Sequence, residues 1–134
     1  MKSVYHCIQH PDYHQEELGP ILLSDVEELL QSFQWQKYLD VYKGMKETTD
    51  DVCQPALQFY DGEYNLVIWI STLGFFDAEI LEMPASQKKV LGIKFGPATR
   101  NFWFPEVLAD DLPNIVAAFF RDDIDFYKTH SKNA

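Results

Sequence analysis

Four side chains near the start of the chain are of types that bind zinc, namely His6, Cys7, His10 and His14. Imidazole and thiolate groups suit zinc, and the spacing of His10 and His14 would place both on one face of a helix. Pro11 lies between these two histidines and disfavours a helix through His10. A polar loop with incidental histidines is therefore the favoured interpretation, and we expect no metal and no other cofactor.

Paired carboxylates are the other residues with possible chemistry, and they occur as Asp50-Asp51, Asp110-Asp111 and Asp122-Asp123. Glycosidase chemistry needs two carboxyl groups held a defined distance apart around a cleft, which neighbours in sequence do not supply. The sequence also lacks the phosphate-binding and dinucleotide-binding glycine motifs, the zinc-protease motif and the nucleophile elbow. We therefore expect a protein that acts by binding and not as an enzyme.

Three aspartates, Asp122, Asp123 and Asp125, form a candidate partner-binding surface. They are predicted to lie late in a helix, where Asp is a poor helix former and negative charge opposes the helix dipole. This arrangement would cost about 1 kcal/mol, and a local rule broken without a visible gain can mark a functional surface. The alternative is a solvated polar face that Arg121 and Lys128 partly offset.

A second candidate surface lies at a predicted hairpin tip, where Asp61 and Glu63 project beside Tyr60 and Tyr64. Aromatic rings beside carboxylates are typical of a hot spot for a basic partner, although turn chemistry alone would explain Asp61. Trp69 is a third candidate. It is predicted on the mixed face of the sheet, where it is either an interface residue or covered by a helix.

The hairpin that carries these residues is the strongest structural signal in the sequence. Ala56–Tyr60 and Glu63–Ser71 flank an Asp61-Gly62 pair, which predicts a type I′ turn. Alternate residues from Tyr64 to Ile70 are apolar, whereas the intervening positions are mixed. This pattern indicates an antiparallel sheet with one fully buried face.

Other strands are predicted where apolar and polar residues alternate. His10–Pro20 and Lys43–Gln54 are polar and are predicted to be loops. The additional strands are predicted at Ser3–Gln9, Phe76–Ile80, Lys89–Phe95 and Asn101–Phe104.

The first predicted helix begins at Ser24, which forms a capping box with Glu27. Trp35–Tyr42 fits a second helix better than a strand. A closing helix is predicted from a cap at Asp110 or Asp111, with an apolar stripe over about four turns. The order predicts an α+β fold, with an antiparallel sheet of about four to five strands and N- and C-terminal helices packed on it.

The charge balance limits the partners that the chain is expected to bind. It has 21 Asp and Glu against 11 Lys and Arg, which gives a formal net charge of -10. This balance disfavours nucleic acid and an anionic membrane surface, because both require a basic footprint. A basic protein fits the charge, since electrostatic steering would speed its association. Simple solubility is the alternative explanation.

The compartment is predicted from the cysteines and from the absence of a targeting signal. Cys7 and Cys53 are the two cysteines, which do not suggest a disulfide framework. No charged-then-apolar leader opens the sequence, and no apolar run approaches roughly 18 residues. We therefore expect a cytoplasmic protein with reduced thiols, folded as one domain over residues 1–134.

A hairpin of sequence PALQFYDGEYNLVIWIS and a closing helix of sequence LPNIVAAFF thus lie in a short, acidic chain. In these features the chain resembles the small cytoplasmic immunity proteins of bacterial polymorphic toxin systems, which are partners of contact-dependent inhibition toxins and of type VI effectors. The resemblance implies tight binding to one cognate toxin domain and occlusion of its active site. Many such toxins are nucleases with basic clefts, so an acidic inhibitor would mimic the substrate phosphates.

Two other functions fit parts of the same sequence. A phage-encoded acidic inhibitor that mimics DNA and blocks a host nucleic-acid enzyme would need the same charge. A small-ligand or enzymatic α+β domain would instead need a deep pocket with convergent polar groups.

Overall fold

A computed structural model describes residues 3–70, 75–83 and 100–132 of the chain. In this part, six strands form one antiparallel sheet with four helices, which confirms the α+β class and corrects the predicted count of four to five strands. The strand predicted at Lys89–Phe95 lies outside the described residues. The strands are β1 (Val4–Gln9), β2 (Gln15–Ile21), β3 (Ala56–Tyr60), β4 (Tyr64–Ile70), β5 (Phe76–Glu82) and β6 (Arg100–Val107), and the helices are α1 (Leu23–Ser32), α2 (Trp35–Lys46), α3 (Leu112–Arg121) and α4 (Ile124–His130).

The strand order is β2-β1-β3-β4-β5-β6, and each neighbouring pair is antiparallel. Because β1 lies between β2 and β3, helices α1 and α2 carry the chain across β1. None of the helices in the described ranges is long and apolar enough to span a bilayer.

The core lies between one face of the sheet and the helices. Ring contacts between helices and this face include Trp35 with Phe76, Phe59 with Phe120, and Phe102 with Tyr127. Each fully buried large side chain contributes roughly 1.5–3 kcal/mol before the entropy cost of ordering it. Two registered rows of buried side chains cross the central strands: Leu57, Ile68, Ala78 and Phe104 in one row, and Phe59, Leu66, Ile80 and Phe102 in the next.

Strand β2 corrects the predicted loop at His10–Pro20. It is an edge strand with mostly exposed residues, so the alternation that reveals a half-buried strand is missing from its sequence. Gly19 has a φ of 91°, and the register shifts opposite it, between His6 and Cys7. Pro20 is tolerated because an edge strand has no ladder partner on its outer side.

Helix α1 begins without the predicted side-chain cap. The residue before α1 is Leu22, which makes no capping hydrogen bond, and Ser24 lies inside the helix. The capping-box prediction is therefore wrong. The helical interpretation of Trp35–Tyr42 is confirmed, and the helix extends to Lys46, into the predicted loop. Trp35 fixes the start of α2, because its indole N–H donates to the carbonyl oxygen of Leu30 at 3.2 Å.

The central hairpin is confirmed, but its turn differs from the predicted type I′. Gly62 has a φ of 94°, whereas Asp61 is not among the residues with positive φ. The Asp61 carboxylate accepts backbone N–H groups from Glu63 at 2.8 Å and from Tyr64 at 2.9 Å. These bonds hold Asp61 as a flanking residue opposite Tyr64, so Gly62 takes the first central position, as in a type II′ turn.

The closing helix is divided into α3 and α4. Pro113 lies in the first turn of α3 as predicted, but Asp111 precedes the helix without a side-chain capping bond. Asp122 ends α3 with a left-handed φ of 54°. Asp123 then caps α4, because its carboxylate accepts the backbone N–H of Phe126 at 3.1 Å. The apolar spacing continues across the break, and for this reason periodicity alone predicted one helix.

Candidate functional site at an acidic end of the sheet

The three aspartates near the end of the chain lie at a junction between two helices. The argument that they strain a helix is therefore wrong. Asp122 ends α3, Asp123 caps α4, and Asp125 lies in the first turn of α4, where the helix dipole favours negative charge. Asp is also among the residues that adopt the left-handed conformation most readily. Local structure thus explains these residue types, and the side chains of Asp122 and Asp125 are exposed to solvent.

The two candidate surfaces meet at one end of the sheet. Tyr64, whose N–H binds the Asp61 carboxylate, has its ring centroid 6.3 Å from that of Tyr127. The N–H of Tyr127 donates to the carbonyl oxygen of Asp123 at 3.2 Å. This ring contact joins the hairpin tip to the junction of α3 and α4. We call this region the acidic end and define it by Asp61, Glu63, Asp122 and Asp123.

Three carboxylates of the acidic end, those of Asp61, Asp122 and Asp123, affect the pKa of one buried hydroxyl. Tyr127 is fully buried, and its Oη donates to the carbonyl oxygen of Ala118 at 3.3 Å. Burial raises the pKa of Tyr127 far above its usual value, and the charges of Asp122, Asp61 and Asp123 raise this pKa further. This common effect on the pKa of Tyr127 is consistent with the hairpin tip and the helix junction lying at the same end of the sheet.

An ion pair borders the acidic end. Arg100 donates to both oxygens of Glu82, at 2.8 and 3.2 Å, and Tyr64 Oη donates to Glu82 at 2.9 Å. The hydrogen bonds from Arg100 lower the pKa of the Glu82 carboxyl. Arg121 forms a longer pair with Asp123, at 3.3 Å. Glu82 is therefore neutralised locally, and it does not add to the charge of the acidic end.

The aromatic residues of the predicted hot spot point to opposite faces of the sheet. Tyr64 is buried against the helices, whereas Tyr60 is half-buried on the other face and stacks on Tyr5 with centroids 5.8 Å apart. Tyr60 Oη donates to Glu17, which raises the pKa of Tyr60 to about 12. Tyr60 thus borders the acidic end from the face opposite the helices.

Trp69 lies far from the acidic end. It pairs with Ala56 and Asp77 near the opposite end of the central strands, on the same face as Tyr60. Its ring is half-buried and lies 6.2 Å from the ring of Trp103. The predicted site residues therefore fall into two groups, and Trp69 does not join the carboxylates.

The possible zinc ligands do not converge. His6 and Cys7 are neighbours on β1 and point to opposite faces, and His6 Nδ1 binds the carbonyl oxygen of Gly19 at 2.9 Å. His10 pairs with Glu16 at 2.9 Å and stacks on His14. Among the described residues, no group of three or more His, Cys, Asp or Glu side chains is placed to hold a metal ion.

Sequence reasoning missed the contact between Tyr64 and Tyr127 that assembles the acidic end. Adjacent aspartates inside an apolar helical pattern are a signal for a helix boundary, because Asp favours both caps and left-handed positions. Asp122-Asp123 had this signal. The pairing of Glu82 with Arg100 spans two strands and had no local signal. Comparisons of the chain with protein-family models, with curated proteins and with solved structures give no match.

Proposed function

We propose that this chain is an immunity protein that binds and neutralises a cognate bacterial toxin domain, with its acidic end placed in the basic active site of the toxin. The observation that carries the proposal is the contact between Tyr64 and Tyr127, which brings the hairpin tip and the helix junction together. Carboxylates from two distant segments of the chain thereby form one surface, defined by Asp61, Glu63, Asp122 and Asp123.

The acidic end is held rigidly by its own hydrogen bonds. The Asp61 carboxylate binds two N–H groups of the turn, and the Asp123 carboxylate binds the first turn of α4. The fully buried side chain of Tyr127 packs beneath the hairpin tip and the junction of α3 and α4. A surface that is already ordered loses little entropy on binding, which favours tight inhibition.

The charge of the acidic end favours a basic active site over a neutral one. Carboxylates grouped on a surface raise the rate of encounter with a basic partner and disfavour acidic ones. A standard interface buries about 800 Å² on each partner. The stacked Tyr5 and Tyr60 lie on the adjacent face and would extend the contact beyond the carboxylates.

Co-expression with the product of the adjacent gene tests this function. We expect a toxin gene immediately upstream, and we expect the chain to restore growth of cells that express the toxin domain. The purified pair should bind with a Kd of about 1 nM or below. Continued toxicity despite soluble expression of both proteins would contradict the proposal.

A further inference from the structure

A cleft of about 630 Å³ lies at the outer side of β6, next to the ion pair of Arg100 and Glu82 that borders the acidic end. The cleft is open to solvent, and its volume is within the range of small-molecule sites. The cleft runs around the edge of β6, with Arg100 and Phe102 on the face that carries the helices and Glu79, Asn101 and Trp103 on the opposite face. The lining includes Glu79, Arg100, Asn101, Trp103, Lys128 and Lys132.

The residues that line this cleft include several cations, whereas the whole chain has a negative net charge. Among the described lining residues, Lys128 and Lys132 face the carboxylate Glu79, and Arg100 is paired with Glu82, in a chain whose net charge is -10. Neither lysine forms an ion pair with any residue in the described ranges. Glu79 is partly satisfied, because the side-chain amide of Asn101 donates to it at 2.9 Å. The cleft is therefore a basic site on an acidic protein.

The cations are held near an aromatic ring. Arg100 is fixed by its two hydrogen bonds to Glu82. The backbone N–H of Lys132 donates to the carbonyl oxygen of Trp103 at 2.7 Å, which ties the end of the described chain to the edge of β6. Trp103 is half-buried, and Trp69 contacts it at an interplanar angle of 53°. An indole ring supported in this way offers a stacking surface to a ligand.

We infer that this cleft binds a small anion that carries a planar ring, of the nucleoside phosphate class. The ring stacks on Trp103, and the phosphates lie against Lys128 and Lys132. The paired Glu79 and Asn101 supply an acceptor and a donor for the polar edge of the ring. A volume of 630 Å³ holds a ligand of this size, whereas an acidic peptide would need a longer groove.

Nuclear magnetic resonance of the indole N–H groups tests this site, because the chain has three tryptophans. The probes are ATP without metal ions, adenosine and inorganic triphosphate, and a Trp103→Phe variant assigns the Trp103 signal. We expect ATP to shift this signal saturably with a Kd below about 1 mM, and to leave the Trp35 signal in place. Adenosine and triphosphate should each bind at least about tenfold more weakly than ATP, because adenosine lacks the phosphate contacts and triphosphate lacks the ring contact.

Two double variants with the same change in charge separate the site from a general effect. Lys128→Gln with Lys132→Gln removes the two lysines of the cleft, whereas Lys37→Gln with Lys43→Gln removes two exposed lysines of α2. ATP affinity should fall at least about tenfold in the first and stay within about twofold in the second. No saturable shift up to about 10 mM ATP, equal losses in both variants, or tighter binding of hexaglutamate than of ATP would overturn the inference.

Discussion

Asp123 shows how one residue serves local structure and charge together. Its carboxylate caps α4 through Phe126, pairs with Arg121 and contributes to the acidic end. Capping explains why an aspartate is present at this position, and the neighbouring Asp122 is exposed, as the proposed binding role requires. A partner-binding role and a structural role are therefore not alternatives here, and they can be separated by substitution.

Replacing Asp123 by Ala should lower the free energy of unfolding by about 1 kcal/mol, because the N-cap of α4 is lost. Asp123→Asn keeps a capping oxygen and should cost less. Asp125→Ala is the matched control, since Asp125 is exposed in the same turn and its carboxylate makes no capping bond. Urea denaturation measures all three. A loss in Asp125→Ala as large as that in Asp123→Ala would contradict the assigned cap.

Cys7 should be the less reactive of the two thiols. Burial, with a smaller contribution from Glu17, raises the pKa of Cys7 to about 11. Its thiolate is therefore scarce at pH 8, whereas Cys53 is only half-buried. We expect iodoacetamide to modify Cys53 first in the folded protein, as measured by mass spectrometry. Faster modification of Cys7 would contradict the burial described for it.

The raised pKa of Cys7 should also lower the free energy of unfolding at high pH. In the unfolded chain the Cys7 thiol has its ordinary pKa of 9.0, so it loses its proton before the folded form does, whose pKa is about 11. The unfolded state is thereby favoured, and the free energy of unfolding should fall as pH rises from about 9 to 11. Cys7→Ala should show a smaller fall over this interval in denaturation measured at each pH.

At the scale of elements, the sequence correctly predicted strands and helices with one buried face and one exposed face, because such elements alternate apolar and polar residues at a regular spacing. The alternation in Tyr64–Ile70 predicted β4 and its buried face correctly, because each side of this strand has a different environment. Strand β2 could not be predicted in the same way, because both its faces are largely exposed. The split between α3 and α4 was missed, since Phe119 and Tyr127 keep helical spacing across it.

The candidate site could be predicted only in part. Asp61 and Asp122 were recognised from unusual local composition, in two separate segments. Their meeting depends on the packing of Tyr64 against Tyr127, which are 63 positions apart in the chain, and no local pattern encodes such a contact. Trp69 was grouped with them on composition alone, and the register of β4 places it elsewhere.

Two glycines should respond in opposite directions to substitution by alanine. Gly62 has a φ of 94° in the hairpin turn, so Gly62→Ala should lower the free energy of unfolding by about 1 kcal/mol. Gly44 lies within α2, and a Cβ added there meets no atom within 4 Å. Gly44→Ala should therefore raise stability by about 0.5–1 kcal/mol. Urea denaturation would contradict both assignments if the signs were reversed.

At the scale of the whole molecule, charge is distributed unevenly over a sheet with helices on one face. The acidic end gathers carboxylates from the hairpin tip and the helix junction, while the cleft beside β6 gathers cations. The net charge of -10 therefore does not describe the local charge of the surface that a partner would contact. Binding to a basic toxin should depend on where carboxylates are removed, and not only on how many.

The affinity of the cognate toxin domain for two triple variants tests this central claim most directly. Glu63→Gln, Asp122→Asn and Asp123→Asn neutralise three of the four carboxylates of the acidic end and keep the capping oxygens, while Asp61 is left to hold the turn. Asp25→Asn, Glu27→Gln and Glu28→Gln neutralise the exposed start of α1 with the same change in net charge.

In calorimetric titration at low salt, we expect the first variant to bind about 100-fold more weakly and the second within about threefold of the unmodified chain. The difference should shrink at about 0.5 M salt, where surface charges are screened. Equal affinities for the two variants, whether both weakened or both unchanged, would contradict a binding site at the acidic end.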